Sequence, residues 1–306
     1  MLRTILCLAG VLSLLLPVFF LTNSMPSSDT PQPSSTIQQT QETYTSAPHT
    51  TPTTTPPMTE SPTVPPDYIG TLYTQEQLLN FNNEMTSFGS GRLYCDKRPT
   101  IPEASQKEFG NLNAIFIGED NPTIYLTFDC GYEYQNLTAK ILDVLKEKNV
   151  KAVFFVTMYY CQTQPQLVRR MLDEGHIVGN HTANHPYLPD LDIDQVVYEI
   201  MSLHDYVKAN FDYEMTLLRP PSGCYSPRTL AIAQSIGYQS VFWSFAYQDW
   251  ETESQPNTED AFNTVSSCAH NGCIYLLHAV SSANAEILGP LIDDLQQRGY
   301  TLGLFH

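Results

Sequence analysis

The stretch TIYLTFDCGYEYQNLTAKILDVLKEKNVKAVFFVT, residues 123–157, decides the fold. TIYLTFD (123–129) and AVFFVT (152–157) are near-continuous apolar runs, the pattern of strands covered on both faces. Between them, NLTAKILDVLKEKN (136–149) sets Leu137, Ile141, Leu142 and Leu145 at helical spacing. A buried strand, a crossover helix and a second buried strand form a βαβ unit, which implies a parallel sheet.

Outward from this unit the alternation persists. Helices are predicted at PQLVRRMLDEG (165–175), with Gly175 as stop signal, and at DIDQVVYEIMSLHDYVKANF (192–211), capped by Asp192 or Asp194. HIVGNH (176–181), MTLLRPP (215–221), YQSVFWSFA (238–246), CIYLLHAV (273–280) and YTLGLF (300–305) read as strands. SPRTLAIAQSIG (226–237), TEDAFNTVSSCAHNG (258–272) and NAEILGPLIDDLQQRG (284–299) read as the helices between them. The class is therefore α/β, and a barrel or an open doubly wound sheet both satisfy the pattern. A helix at QEQLLNFNNEM (75–85) falls in an N-terminal extension, 67–118, ahead of the βα region at 119–306.

The first 66 residues differ in kind. ILCLAGVLSLLLPVFFL (5–21) carries no charge and reads, within 1–23, as a signal peptide or membrane anchor. Arg3 on its short side would keep that end inside and export the rest. Residues 24–66 are dominated by Ser, Thr and Pro, a composition that cannot bury enough apolar surface to offset chain entropy, so a disordered stalk is expected. With 306 residues the chain carries 32 acidic against 15 basic side chains, a net charge of -17. That balance argues against nucleic acid, which needs a basic face, and leaves any membrane contact to the N-terminal segment. A monomer is expected. Cys7 lies in the apolar segment; six further cysteines, Cys95, Cys130, Cys161, Cys224, Cys268 and Cys273, permit disulfides, Cys268–Cys273 being the easiest pair to imagine.

Polar residues fall where strands end. Asp129, His181, Arg219, Asp249 and His278 each end or follow a different strand, and in βα barrels that end carries the active face. HTANH (181–185) puts two imidazoles at i and i+4, where one helical turn would let them share a metal; alone the motif is weak. RPPSG (219–223) is a rigid turn presenting an arginine and free backbone N–H groups.

Together and in this order, TFDCG, HTANH, RPPSG, QDW and LLH resemble the five motifs of the polysaccharide deacetylases, the metal-dependent de-N-acetylases of carbohydrate esterase family four, over about residues 122–305. TIYLTFDCGYE, GHIVGNHTANHP and VFWSFAYQDW look nearest the branch acting on peptidoglycan N-acetylmuramic acid, which prepares the δ-lactam of spore cortex. The resemblance implies a distorted (β/α)7 barrel. It implies that Asp129 is the general base for the attacking water, with Arg219 holding its orientation. His278 is the implied general acid, tuned by Asp249. The implied metal ligands are His181, His185 and, in place of the family's second aspartate, Cys130, whose thiolate favours Zn2+ over Mg2+ or Mn2+, Co2+ being a further candidate. Ser222 and Gly223 are placed beside the oxyanion and sugar, and Trp250 and Leu276 beside the acetyl pocket.

The sequence departs from the family at Cys130 and at Ser222, where the family has an aromatic residue or, in the muramic branch, arginine. A disulfide between Cys130 and Cys224 would remove the thiol from the metal. The leading expectation is an exported enzyme at the outer membrane face or cell wall, anchored or secreted, working on peptidoglycan or a related N-acetylated glycan. The alternatives are an N-acetylglucosamine, chitin or xylan deacetylase, and a glycan-binding module impaired by the change to Cys130.

Overall fold

The computed structural model describes residues 72–89, 95 and 97–305. The expected signal or anchor, 1–23, and the Ser/Thr/Pro stretch, 24–66, lie outside the described residues. Among those described, no helix is long and apolar enough to cross a membrane. The extension supplies α1 (Gln75–Asn80), β1 (Thr86–Ser87), α2 (Thr100–Phe109) and β2 (Ala114–Ile115). The helix expected over 75–85 thus stops at Asn80, where Phe81 turns to extended backbone, φ -69° and ψ 142°. Then come β3 (Thr123–Cys130), α3 (Leu137–Glu147), β4 (Val153–Val156), α4 (Met158–Thr163), α5 (Pro165–Asp173) and β5 (Ile177–Asn180). Next are α6 (Ile193–Phe211), β6 (Leu217–Leu218), β7 (Cys224–Tyr225), α7 (Pro227–Ser235), β8 (Gln239–Val241) and β9 (Phe245–Ala246). The chain closes with α8 (Thr258–Ser267), β10 (Cys273–His278), α9 (Ser282–Gln297) and β11 (Thr301–Gly303). Asp192, not Asp194, caps α6, accepting from the Gln195 N–H at 2.8 Å.

Nine strands form one sheet along the path β2-β8-β6-β5-β4-β3-β10-β9, with β11 also on β3. Its ladders run parallel, as the doubly covered apolar runs predict. The path is an open, curled sheet among the described residues. The stretch 238–246 departs from expectation: it is two short strands, β8 beside β6 and β9 beside β10. Only residues 242–244 separate them, so the chain steps across the curl between distant parts of the ladder. Continuous hydrophobicity concealed that break.

The curl can be measured. Arg219 follows β6 and Asp129 ends β3, three ladder steps apart, roughly 14 Å in a flat sheet at ~4.8 Å per strand. Yet the Arg219 Nη1–H donates to Asp129 Oδ1 at 2.9 Å, the guanidinium lying 4.2 Å above the Phe155 ring of β4. Phe155 fits because residue 179 of β5 is glycine; a Cβ there would stand 2.5 Å from the ring. Gly179→Ala is therefore expected to destabilise the fold by about 1–3 kcal/mol, the usual cost of overpacking. It is also expected to lower activity by lifting Arg219; an unchanged urea midpoint would contradict this.

The extension is stitched to the sheet domain. β1 pairs antiparallel with β7, and Cys95 is disulfide-bonded to Cys268. The expected Cys268–Cys273 pair does not form, and Cys273 is a buried free thiol at the start of β10. Cys130 and Cys224 are also free, so no disulfide joins them.

Candidate active site

The curl gathers the strand-end residues. In the ladder, Asp129 of β3 is the register partner of His278 of β10. Arg219 is 0% exposed and fully engaged: Nε–H donates to the Val241 carbonyl and Nη2–H to the Phe242 carbonyl, both at 3.1 Å. Its remaining arm meets Asp129. Burial alone would raise the Asp129 pKa, but Arg219, His181 and His278 outweigh it and hold the carboxyl below its ordinary value. Asp129 is thus kept ionised in a largely water-free setting.

His278 is the complementary case. Its Nδ1–H donates to Asp249 Oδ1 at 2.6 Å, and its backbone N–H donates to Asp249 Oδ2 at 2.8 Å. Burial opposes the imidazolium, yet Asp249, and then Asp129, outweigh it and raise the pKa of His278. The side chain remains 24% exposed while Asp249 is sealed, so the ring has one open edge. The Trp250 ring stands 5.7 Å from it, edge to face. Leu276 lies two residues before His278 and so on the same face of β10.

Asn284 was not foreseen. From the first turn of α9 its amide donates to Asp249 Oδ2 at 2.6 Å and to the His278 carbonyl at 3.2 Å, and the Tyr247 hydroxyl donates to its oxygen. An asparagine in the first turn of α9, on the face that carries Ile287, Leu288 and Leu291, was the available signal.

The histidine pair comes together by a route the spacing did not suggest. HTANH is not a helical turn: Thr182 (φ 66°) and His185 (φ 59°) both adopt left-handed backbone. The rings nevertheless meet, centroids 4.7 Å apart at 76°. The His181 Nδ1–H donates to the Arg219 carbonyl at 2.8 Å, which fixes the tautomer and leaves Nε2 as a free acceptor 3.5 Å from Asp129 Oδ2. Burial lowers the His181 pKa, favouring the neutral ring that a metal requires. His185 is exposed. The two imidazoles alone are the chain's donors suited to a divalent cation here, and they supply only part of its shell.

Cys130 does not complete that set. Successive strand side chains point to opposite faces, so with Asp129 turned toward Arg219 the Cys130 thiol enters the core. Burial, then the charges of Asp129 and Glu133 and the Cys161 thiol, push its pKa well above the usual value, and a thiol so held stays protonated. Among the described residues, no group of three or more His, Cys, Asp or Glu side chains is disposed to hold an ion. The turn of RPPSG holds two left-handed residues, Ser222 (φ 54°) and Gly223 (φ 64°). Ser222 is exposed, and a Cβ on Gly223 would lie 2.6 Å from Trp243.

Comparison with known proteins bears on this arrangement. The model of the family "Polysaccharide deacetylase" matches residues 117–241. The chain is 41% identical over 221 residues to the peptidoglycan-N-acetylmuramic acid deacetylase PdaA of Bacillus subtilis, covering 72% of this chain and 84% of that protein. It is 32% identical over 180 residues to a peptidoglycan-N-acetylglucosamine deacetylase of Bacillus cereus, covering 58% of this chain and 83% of that protein. The solved structure of Bacillus subtilis PdaA, described as a family 4 carbohydrate esterase, superposes with a TM-score of 0.69 at 40% identity. That match covers 72% of this chain and 95% of the other.

Proposed function

The chain belongs to the polysaccharide deacetylase family, and we propose that it is an exported de-N-acetylase of peptidoglycan, acting on N-acetylmuramic acid. The observation that carries this reading is the pairing of opposite pKa shifts in one register: a carboxyl held low at Asp129 faces an imidazole held high at His278. A base and an acid so separated are what amide hydrolysis needs.

Deacetylases of this family depend on a divalent metal. His181 and His185 would hold the ion, for which imidazole donors favour zinc; bound there, it supplies polarisation of the acetamide carbonyl and a more acidic water. The chain's own groups do the rest. Asp129 Oδ2 takes a proton from the water that attacks the carbonyl carbon. Arg219 keeps Asp129 ionised until it accepts that proton, and the Ser222 backbone N–H donates to the oxygen as negative charge develops. His278, its Nδ1–H anchored on Asp249, gives the proton at Nε2 to the departing sugar nitrogen. The C–N bond breaks, releasing acetate and a sugar amine. Gly223, Trp250 and Leu276 line the space for the acetyl group and the sugar.

We read the curled sheet as the distorted (β/α)7 barrel of the family, and the catalytic unit as a monomer. Export rests on the uncharged run 5–21 and the Ser/Thr/Pro stretch 24–66, which would hold the enzyme at the outer membrane face or in the wall. A second reading, N-acetylglucosamine as the sugar, is favoured by one observation. Ser222, exposed at the rim, brings no positive charge toward the lactyl carboxylate of muramic acid.

The test incubates the zinc-supplemented protein with peptide-free peptidoglycan strands and with chitooligomers, measuring acetate and locating free amines by mass spectrometry. Amines on muramic acid alone are expected. Amines confined to glucosamine would transfer the assignment to the second sugar, and no acetate from either would end the enzymatic reading.

A further inference from the structure

The turn carrying the two histidines contains a feature that neither packing nor the chemistry above requires. Thr182 and His185 are held in left-handed backbone, which non-glycine residues, and β-branched ones above all, resist. Such a turn persists only where its surroundings over-determine it. Asn180 Oδ1 accepts the Thr182 N–H at 2.8 Å, and Thr182 Oγ1 accepts the His185 N–H at 3.0 Å. The remaining ties end on one residue of α6, Glu199. Its backbone carbonyl accepts the Ala183 N–H at 2.9 Å. Its two carboxylate oxygens take the Asn184 N–H at 2.8 Å and the Asn184 side-chain amide at 2.7 Å.

Glu199 is 8% exposed and lies on the helix face that buries Val196, Ile200 and Leu203. A carboxylate there is costly unless its oxygens are satisfied, and among the described residues it makes no ion pair. Both oxygens are spent on Asn184, which stands between the imidazoles in the sequence. An apolar side chain would fill the core as well and leave Asn184 untied.

We propose that Glu199 is a positioning residue for the histidine pair: acting through Asn184, it clamps the strained turn so that His181 and His185 meet in the geometry that binds the cation. This rests on the metal role assigned to the two histidines above. Partners of this kind, one step removed from a metal, typically alter affinity by about 10- to 100-fold.

The experiment compares wild type, Glu199→Gln, Asn184→Ala and the double variant as full-length folded proteins. Glutamine keeps the volume of Glu199 but turns an NH2 donor toward a donor of Asn184. Zinc affinity, read by competition with a chromophoric chelator and without substrate, is expected to fall about 10- to 100-fold in Glu199→Gln and less in Asn184→Ala. The double variant is expected to be no weaker than Glu199→Gln, because one residue acts through the other. Amide hydrogen exchange on the metal-free proteins gives a second readout that does not depend on zinc. The Thr182 and His185 amides, whose own acceptors are unchanged, are expected to exchange faster in Glu199→Gln. Exchange unchanged at both amides, or zinc affinities within twofold of wild type, would overturn the proposal, as would additive losses in the double variant. Should wild type bind no zinc, the metal role of the histidines fails while the exchange comparison still decides the clamp. Should Glu199→Gln not fold, Asn184→Ala, altered only at an exposed side chain, carries both readouts.

Discussion

Replacement of Asp129 by asparagine is expected to lower acetate release by about 10²–10⁴-fold, the contribution of a positioned general base. Asparagine preserves the shape and still offers an oxygen to Arg219 Nη1, but it cannot accept the water's proton. Because Asp129 helps to raise His278, the variant is also expected to shift the His278 titration downward. Wild-type activity is expected to fall as pH rises through the raised His278 pKa, and NMR titration of the ring should show that limb moving to lower pH in the variant. An unmoved His278 titration would mean the two residues are not electrically coupled.

The same substitution has a signed effect on stability. The Asp129 pKa is lowered in the folded protein, so its ionised form stabilises the fold. That contribution is present above the unfolded carboxyl value and is lost as pH falls through the folded value. Asp129→Asn should therefore be less stable than wild type at neutral pH, and the deficit should close on acidification. His278 has the opposite sign: its pKa is raised, so the stability it contributes is present below the ordinary histidine value and is lost as pH rises through the folded value.

Particular residues show why parts of the molecule were readable and others were not. The runs 123–129 and 152–157 announce themselves because strands buried on both faces need apolar residues at every position. The five strand-end residues were readable for the same reason: a charge that interrupts such a run has to have a partner. The break inside 238–246 was not, since Phe242 and Trp243 are as apolar as the strands they separate. The histidines were identified by type but assigned the wrong backbone, because i and i+4 also meet across a turn with two left-handed residues. Cys130 was misjudged by its neighbour: adjacency to Asp129 in sequence means opposite faces in a strand. Asn284 and Glu199 escaped notice because their partners lie 35 and 15 residues away, a separation that only the folded chain removes.

Removing the other half of the buried pair should be worse for the fold. Arg219→Met leaves the Asp129 carboxylate in the core without its cation, and breaking a buried pair from one side costs about 3–5 kcal/mol. The carbonyls of Val241 and Phe242 also lose their donor at the point where the chain crosses the curl. With Arg219 gone, burial dominates and the Asp129 pKa should rise, so the base becomes protonated over a wider acidic range. The double variant Asp129→Leu/Arg219→Met separates stability from chemistry. Apolar replacement of a whole buried pair is often neutral or stabilising, so the double variant should recover most of the loss, short of the share owed to the two carbonyls. Its activity should stay at the Asp129→Asn floor. Urea midpoints for the three proteins decide the matter. A double variant as unstable as Arg219→Met would mean that the guanidinium serves the carbonyls and the sheet, and not Asp129. Recovery without activity would mean that this core tolerates an ion pair it does not need for folding, because the water attacking the acetamide needs a base that is ionised when the water arrives.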